Sequence, residues 1–329
     1  MTRLTLVLLL PSLLATACGG SRDAAERHVV YVRATMAEFP MVWIADANAL
    51  HARRLAPGFS GLVSPDGRTV AVERRDGIYL VSSDAMRTRQ LTSTVFGPQA
   101  WSPDGKRIVA GGERSLVVVE VDSGRSRVVA RGAFYGFGFS PDGGRLVYAR
   151  APREARSGIC GARIDLYVAD VAGGAGRRLT RDGRSAFPVW ASSRIAFGRL
   201  PKPARYDDCF AAGIWTVRPD GSHLRALLAR APRAISRGGY TGLRPFAWSP
   251  DGDLVVGIRS EWGDEAAVLD LRTHRLRRLG LYVDKASRDG RLVLGSGGND
   301  KVTISITRVR DGHRLFVLHG DVCCPDWNR

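Results

Sequence analysis

Ala100-Trp101-Ser102-Pro103-Asp104-Gly105-Lys106 is the stretch on which the fold turns. An apolar run, Ile108-Val109-Ala110, follows it directly. Asp-Gly between apolar runs is a strong hairpin signal, because both turn residues tolerate positive φ. Five further segments carry the pattern in full or in part: Leu62-Val-Ser-Pro-Asp-Gly-Arg68, Gly138-Phe-Ser-Pro-Asp-Gly-Gly144, Val189-Trp-Ala-Ser-Ser-Arg194, Ala247-Trp-Ser-Pro-Asp-Gly-Asp253 and Lys285-Ala-Ser-Arg-Asp-Gly-Arg291. The serine of this box stands at 64, 102 and 140, and again at 249 and 287, a step of 38 residues. Self-similarity at a fixed period of this size marks a stacked repeat architecture.

Around each box lie short strand-like runs and no helical periodicity. In one repeat they are Thr69-Val-Ala-Val72, then Ile78-Tyr-Leu-Val81, then a basic strand. With the box strand that makes four strands, A to D, the content of a β-propeller blade. The outermost strand gives the count. An arginine stands two residues before an apolar residue in Arg53–Leu55, Arg89–Leu91, Arg127–Val129, Arg177–Leu179, Arg225–Leu227, Arg277–Leu279 and Arg314–Phe316. The first of these seven repeats has strands B, C and D but no A. Pro325-Asp326-Trp327-Asn328 at the other end matches Pro188-Val189-Trp190-Ala191 and supplies it. The expected fold is an all-β, seven-bladed propeller closed by its C-terminal strand. A six-bladed ring with a disrupted first or last repeat is the alternative.

The Trp/Phe-Ser-Pro-Asp-Gly box followed by an apolar strand resembles the TolB-like, WD-like β-propeller repeat, over residues 28–329. That resemblance implies binding and scaffolding of many kinds and no single function. The extra N-terminal α/β domain of the best-known periplasmic member and the C-terminal hydrolase domain of the peptidase members are not expected within these 329 residues.

Residues 1–18 read as an export signal. Arg3 gives a short basic region, Leu4 to Leu14 an apolar one broken by Pro11, and Ala15-Thr16-Ala17 a small-residue end. Cys18 follows directly, an arrangement that resembles a bacterial lipobox with Ala15 in place of the usual leucine. The expected organisation is a signal peptide at 1–17, a lipidated Cys18, a polar tether at 18–27 and a propeller at 28–329. No later apolar run approaches the roughly 18 residues needed to span a bilayer. The protein is expected outside the cytoplasm, lipid-anchored to the outer face of a membrane.

Export decides how the other four cysteines read. An even count outside the cytoplasm favours disulfides. Cys160 and Cys209 occupy matching places in neighbouring repeats and are the expected pair. Cys323 and Cys324 are left as a strained vicinal bond or free thiols.

The chain is 44% apolar and carries a net charge of +17. Only four of its 49 basic residues are lysines, so 45 are arginines. Seven arginines share one position on strand D, where charge keeps outer edges from pairing with other chains. A ring-wide spread on an exported chain argues against nucleic acid, which needs a one-sided basic stripe. His51, His223, His274 and His313 fall at C–D turns in four different blades, so no zinc set converges. Each box aspartate is explained by its turn, not as a calcium ligand. The Trp and Tyr residues of strands A and C read as packing between blades. No Ser-His-Asp set, nucleophile elbow or phosphate loop is present. Accordingly no catalytic residue, metal or cofactor is expected, and the protein is expected to act as a monomer.

Three insertions depart from the repeat: 151–164 and 200–213 between strands B and C of adjacent blades, and 229–243 between D and the next A. In an up-and-down blade these connections share one face. Long loops on a rigid scaffold are where binding concentrates. The candidate binding residues are therefore Arg153, Glu154, Arg156, Arg205, Tyr206, Asp207, Asp208, Arg237 and Tyr240. The expected function is a surface-anchored, non-enzymatic binding or scaffold protein of the cell envelope, taking a protein or an envelope glycan. The alternative is a propeller lyase or hydrolase acting on a sugar or lactone.

Overall fold

Apolar runs such as Thr69-Val-Ala-Val72 point alternate side chains to opposite faces. A strand apolar on both faces must be covered on both. Here the covers are the neighbouring repeats. The computed structural model describes residues 28–33, 39–46, 51–93, 97–112, 114–152, 159, 162–201, 211–230, 242–260, 263–287, 289–297, 303–319 and 322–327. They form seven antiparallel sheets of four strands each.

Six blades run in simple A-B-C-D order. Blade 2 comprises Ser60–Val63, Thr69–Arg74, Gly77–Ser82 and Thr88–Thr92. Blade 3 comprises Pro98–Trp101, Arg107–Gly112, Ser115–Glu120 and Ser126–Arg131. Blade 4 comprises Ala133–Phe139, Arg145–Ala151, Asp165–Asp170 and the short Arg177–Arg178. Blade 5 comprises Ser185–Ala191, Arg194–Arg199, Gly213–Val217 and Arg225–Leu228. Blade 6 comprises Leu243–Trp248, Leu254–Ser260, Gly263–Asp270 and Arg275–Tyr282. Blade 7 comprises Lys285–Ala286, Leu292–Gly297, Thr303–Arg308 and Arg314–His319.

Blade 1 joins the two ends of the chain. Its B, C and D strands are His28–Arg33, Met41–Asp46 and Arg53–Pro57, and its A strand is Val322–Trp327. The register pairs Val29 with Trp327 and Val32 with Cys323, across a bulge. The expected closure is therefore present, and the ring has seven blades.

Seven apolar clusters fill the seven interfaces. Between blades 1 and 2, Val30, Val32, Val42 and Ile44 meet Val63, Val70, Val72 and Val81. Between blades 7 and 1, Val29, Tyr31 and Ala45 meet Leu292, Leu294, Ile304 and Ile306. Consecutive residues of one strand, Val29 and Val30, thus serve opposite interfaces.

The box itself corrects the expected turn. Only the glycine is left-handed, with φ of 74° at Gly67, 68° at Gly105 and 72° at Gly143. The Gly67 amide donates to the Ser64 carbonyl at 2.9 Å, closing a turn around Pro65-Asp66. This is a type I turn followed by a left-handed residue, which explains the proline at its first central position. The buried serine hydroxyl donates to the aspartate, at 2.6 Å in Ser64–Asp66 and 2.5 Å in Ser102–Asp104. It also accepts the amide five residues on, Thr69 or Arg107, at 3.0 and 2.9 Å. The aspartate accepts the amide two residues on, from Arg68 and Lys106.

This network should make the ring sensitive to acid. The Ser140 hydrogen bond is the chief cause holding Asp142 below the ordinary carboxylate range. At Asp66 and Asp104 partial burial pushes upward, but the serine and amide bonds and nearby cations outweigh it. A folded-state value below the unfolded one contributes stability that is present above about pH 4 and lost as the pH falls below it. Thermal midpoints should therefore drop as the pH falls below about 4. Ser140→Ala should flatten that dependence. A midpoint level from neutral pH down to about pH 2.5 would contradict this account.

Candidate functional site

Strand direction assigns every connection to a face. A–B and C–D turns emerge on one face, B–C and D–A connections on the other. The three long connections run from Ala151 to Asp165, Arg199 to Gly213 and Leu228 to Leu243. All three open on the B–C/D–A face of blades 4 to 6, as expected. Arg153, Glu154, Arg156, Arg205, Tyr206, Asp207, Asp208, Arg237 and Tyr240 lie outside the described residues, and so do Cys18, Cys160 and Cys209. Cys323 and Cys324 lie in strand A of blade 1.

On the same B–C/D–A face the described residues form a repeated surface. Strand B ends on an arginine in blades 1, 2 and 5, and blade 4 has one at the penultimate position. Its guanidinium covers an aromatic ring on strand C, two residues beyond its register partner. The pairs are Arg33–Trp43 at 4.4 Å to the ring centroid and Arg74–Tyr79 at 4.2 Å. Arg150–Tyr167 at 5.6 Å and Arg199–Trp215 at 4.0 Å complete the set. Exposed pairs of this kind contribute about 0.5–1 kcal/mol each. The strand C aromatics were expected as packing between blades. All four are half-buried, and Trp43, Tyr167 and Trp215 have one side against the core and the other under an arginine.

Blades 5 and 6 add acidic partners. Asp182, just before strand A of blade 5, pairs with Arg199 and accepts the Arg184 amide and the Ser185 hydroxyl, each at 3.0 Å. In blade 6 one carboxylate serves two cations. Asp264 lies 3.5 Å from Arg259 and 4.0 Å from Arg244. Arg244 is on the innermost strand and covers both Phe187 and Phe246, at 5.1 and 5.0 Å. Burial lowers its proton affinity, Asp264 opposes that, and Arg259 adds to it. Phe187 sits at the strand A bulge with φ of 55°, a region bulky side chains rarely adopt. Gly136 of the preceding blade is also left-handed, at 104°, and a Cβ there would meet the Phe187 Cα at 3.0 Å. Sequence reasoning missed Phe187, Arg244 and Phe246. The one signal available was Phe-Pro at 187–188 and Pro-Phe at 245–246, unusual pairs inside strands.

On the opposite rim, five of the seven strand D arginines do more than protect an edge. Arg53 donates to the Ser83 carbonyl, Arg89 to Val121, Arg127 to Ala172, and Arg177 to Pro219 and Asp220. Arg277 donates to Val309 at 2.8 Å. Each acceptor lies in the C–D turn of the next blade, so these arginines clasp neighbours around the ring. The planar guanidinium offers several fixed donors, which a lysine does not. His51, His223, His274 and His313 lie at C–D turns as expected, two of them with positive φ, 56° at His223 and 57° at His274. Among the described residues no three His, Cys, Asp or Glu side chains gather as a metal site.

No family model matches the chain. No curated protein matches it either. Solved structures do. TolB from Acinetobacter baumannii superposes with a TM-score of 0.52 at 17% identity, covering 92% of this chain and 66% of TolB. An oligogalacturonate lyase in complex with manganese gives 0.57 at 16%, covering 87% and 83%. A puromycin-hydrolyzing peptidase of Mycobacterium tuberculosis gives 0.62 at 18%, covering 90% and 53%. The chain thus spans two thirds or less of TolB and about half of the peptidase. Identities this low speak for architecture, and the architecture is plain: the chain is a seven-bladed β-propeller of the TolB-like fold.

Proposed function

We propose that this protein is a non-enzymatic binding or scaffold protein of the bacterial cell envelope, taking a protein or an envelope glycan on its B–C/D–A face. The observation that carries this reading is the placement of three long connections side by side on blades 4 to 6, above a rigid ring. In this reading Tyr206, Asp207, Asp208 and Tyr240, with Arg153, Glu154, Arg205 and Arg237, supply the contacts. A Cys160–Cys209 disulfide would tie two of the loops together.

The anchor fits this orientation. Strand B of blade 1 begins at His28 on the A–B side, so the tether would join the face opposite the long loops. Residues 18–27 reach at most about 35 Å. A chain lipidated at Cys18 would then present its binding face away from the membrane.

The second reading, a lyase or hydrolase acting on a sugar or lactone, draws on the likeness to the oligogalacturonate lyase. Among the described residues no three-ligand set fits that enzyme's manganese.

Pull-down from solubilised envelope fractions tests the first reading. The wild-type chain should capture a defined protein or glycan. A Tyr206→Ala, Asp207→Ala, Tyr240→Ala triple variant should lose it with an unchanged melting temperature, because substitutions in long connecting loops generally change stability little. Undiminished capture by the triple variant would reject this site.

A further inference from the structure

We propose that the channel mouth at blades 5 and 6 binds a carboxylate carried on a ring, with Arg244 as its counter-charge and Phe187 and Phe246 as its walls. This names a ligand chemistry for the face proposed above and rests on that reading for its location.

Three observations converge. First, Arg244 is placed to meet a ligand. Its side chain is 48% exposed although strand A is the innermost of its blade, so it stays within reach of a ligand. Among the described residues its guanidinium makes no hydrogen bond, and the nearest carboxylate, that of Asp264, is 4.0 Å away. A guanidinium carries five donors in a planar fork that matches a carboxylate.

Second, among the described residues Arg244 has no carboxylate to itself. Asp264 lies closer to Arg259, at 3.5 Å against 4.0 Å. In blade 5, by contrast, Arg199 pairs closely with Asp182. One under-compensated guanidinium matches a monoanion. A phosphate, with more charge and a third acceptor oxygen, calls for further donors.

Third, the walls are held against a backbone preference. The left-handed Phe187 and the close approach of Gly136 fix the backbone from which one ring projects. Strain of this sort persists where the surroundings over-determine it, commonly at binding sites. The guanidinium thus lies over two apolar rings, Phe187 and Phe246. A carboxylate docked on it brings whatever it is attached to against those faces, and a ring supplies the most contact there.

Calorimetric titration of the purified protein decides the matter. The probes are benzoate and glucuronate, their neutral amides, and inorganic phosphate. The acids should bind at least tenfold more tightly than the amides, and more weakly as salt rises. Whichever acid is preferred distinguishes an aromatic from a saccharide source. Arg244→Gln should abolish the preference for acid over amide at an unchanged melting temperature. If that variant fails to fold, Arg244→Lys keeps the charge, loses the fork, and should weaken both acids several-fold. Equal binding of acid and amide, wild-type affinity in Arg244→Gln, tighter binding of phosphate, or no binding of either acid would each overturn the proposal. If the acids fail while the loop-dependent capture survives, this inference falls alone. If the acids bind and the loop variants capture normally, the loop assignment falls instead.

Discussion

Deleting residues 321–329 should make the whole ring melt cooperatively at a much lower temperature than the intact chain. The segment is the innermost strand of blade 1, and without it that blade has no A strand. In a stacked repeat each unit buries its apolar faces only against its neighbours, so an open ring exposes two interfaces at once. One carboxylate makes the closing strand specific. Asp326 is 4% exposed and accepts the Val63 amide of blade 2 at 2.8 Å. Its other oxygen accepts the Lys285 ammonium of blade 7 at 2.6 Å. Three consecutive blades therefore meet at one side chain. Breaking a buried ion pair from one side costs about 3–5 kcal/mol. Lys285 is 41% exposed and keeps part of its hydration, so Asp326→Ala should cost less, about 2–3 kcal/mol. Urea denaturation followed by fluorescence measures both changes. A truncated chain that melts with the wild type would show that the ring does not depend on this strand.

Cys18→Ser should move the protein almost entirely out of the membrane fraction, or leave it as the longer, unprocessed precursor. In the proposed reading Cys18 directly follows the small-residue end of an export signal, where a lipid would be attached. Each buried methylene of an acyl chain contributes about 0.8 kcal/mol, and stable anchoring takes two chains or one chain with a second signal. A serine carries no thioether-linked lipid, so the loss is nearly all-or-none. Fractionation with immunoblotting of both forms reads it directly. A Cys18→Ser chain that stays membrane-bound at the processed size would rule out the lipid anchor. The loop-face reading would survive that outcome, because it rests on the connections of blades 4 to 6 and not on the anchor.

The arginine clasps bear on how both experiments are read. Deletion of residues 321–329 removes a strand but no clasp, since each clasp joins strand D of one blade to the C–D turn of the next. The loss of stability can then be assigned to the inner strands and their apolar interfaces. Lysine replacements at Arg89 and Arg127 keep the charge and lose the multi-donor geometry.

The repeat, the blade count and the closure were legible in the order of residues alone. Ser102, Asp104 and Gly105 act through bonds to residues within five positions, so their chemistry is written in local order. Continuous apolar runs such as Val29 to Val32 dictate strands covered on both faces, and Pro325-Asp326-Trp327 declares its place by matching another blade. What the ring alone decided is everything that depends on a neighbouring blade. Arg89 reaches a carbonyl 32 residues away, and Asp326 an amide 263 residues away. Arg244 meets Phe187 only because blades 5 and 6 lie side by side. Such contacts join equivalent or nearby positions in different repeats, and a repeat read singly has no neighbour. Chain order determined the blade; only the closed ring determined which side chains face one another across it.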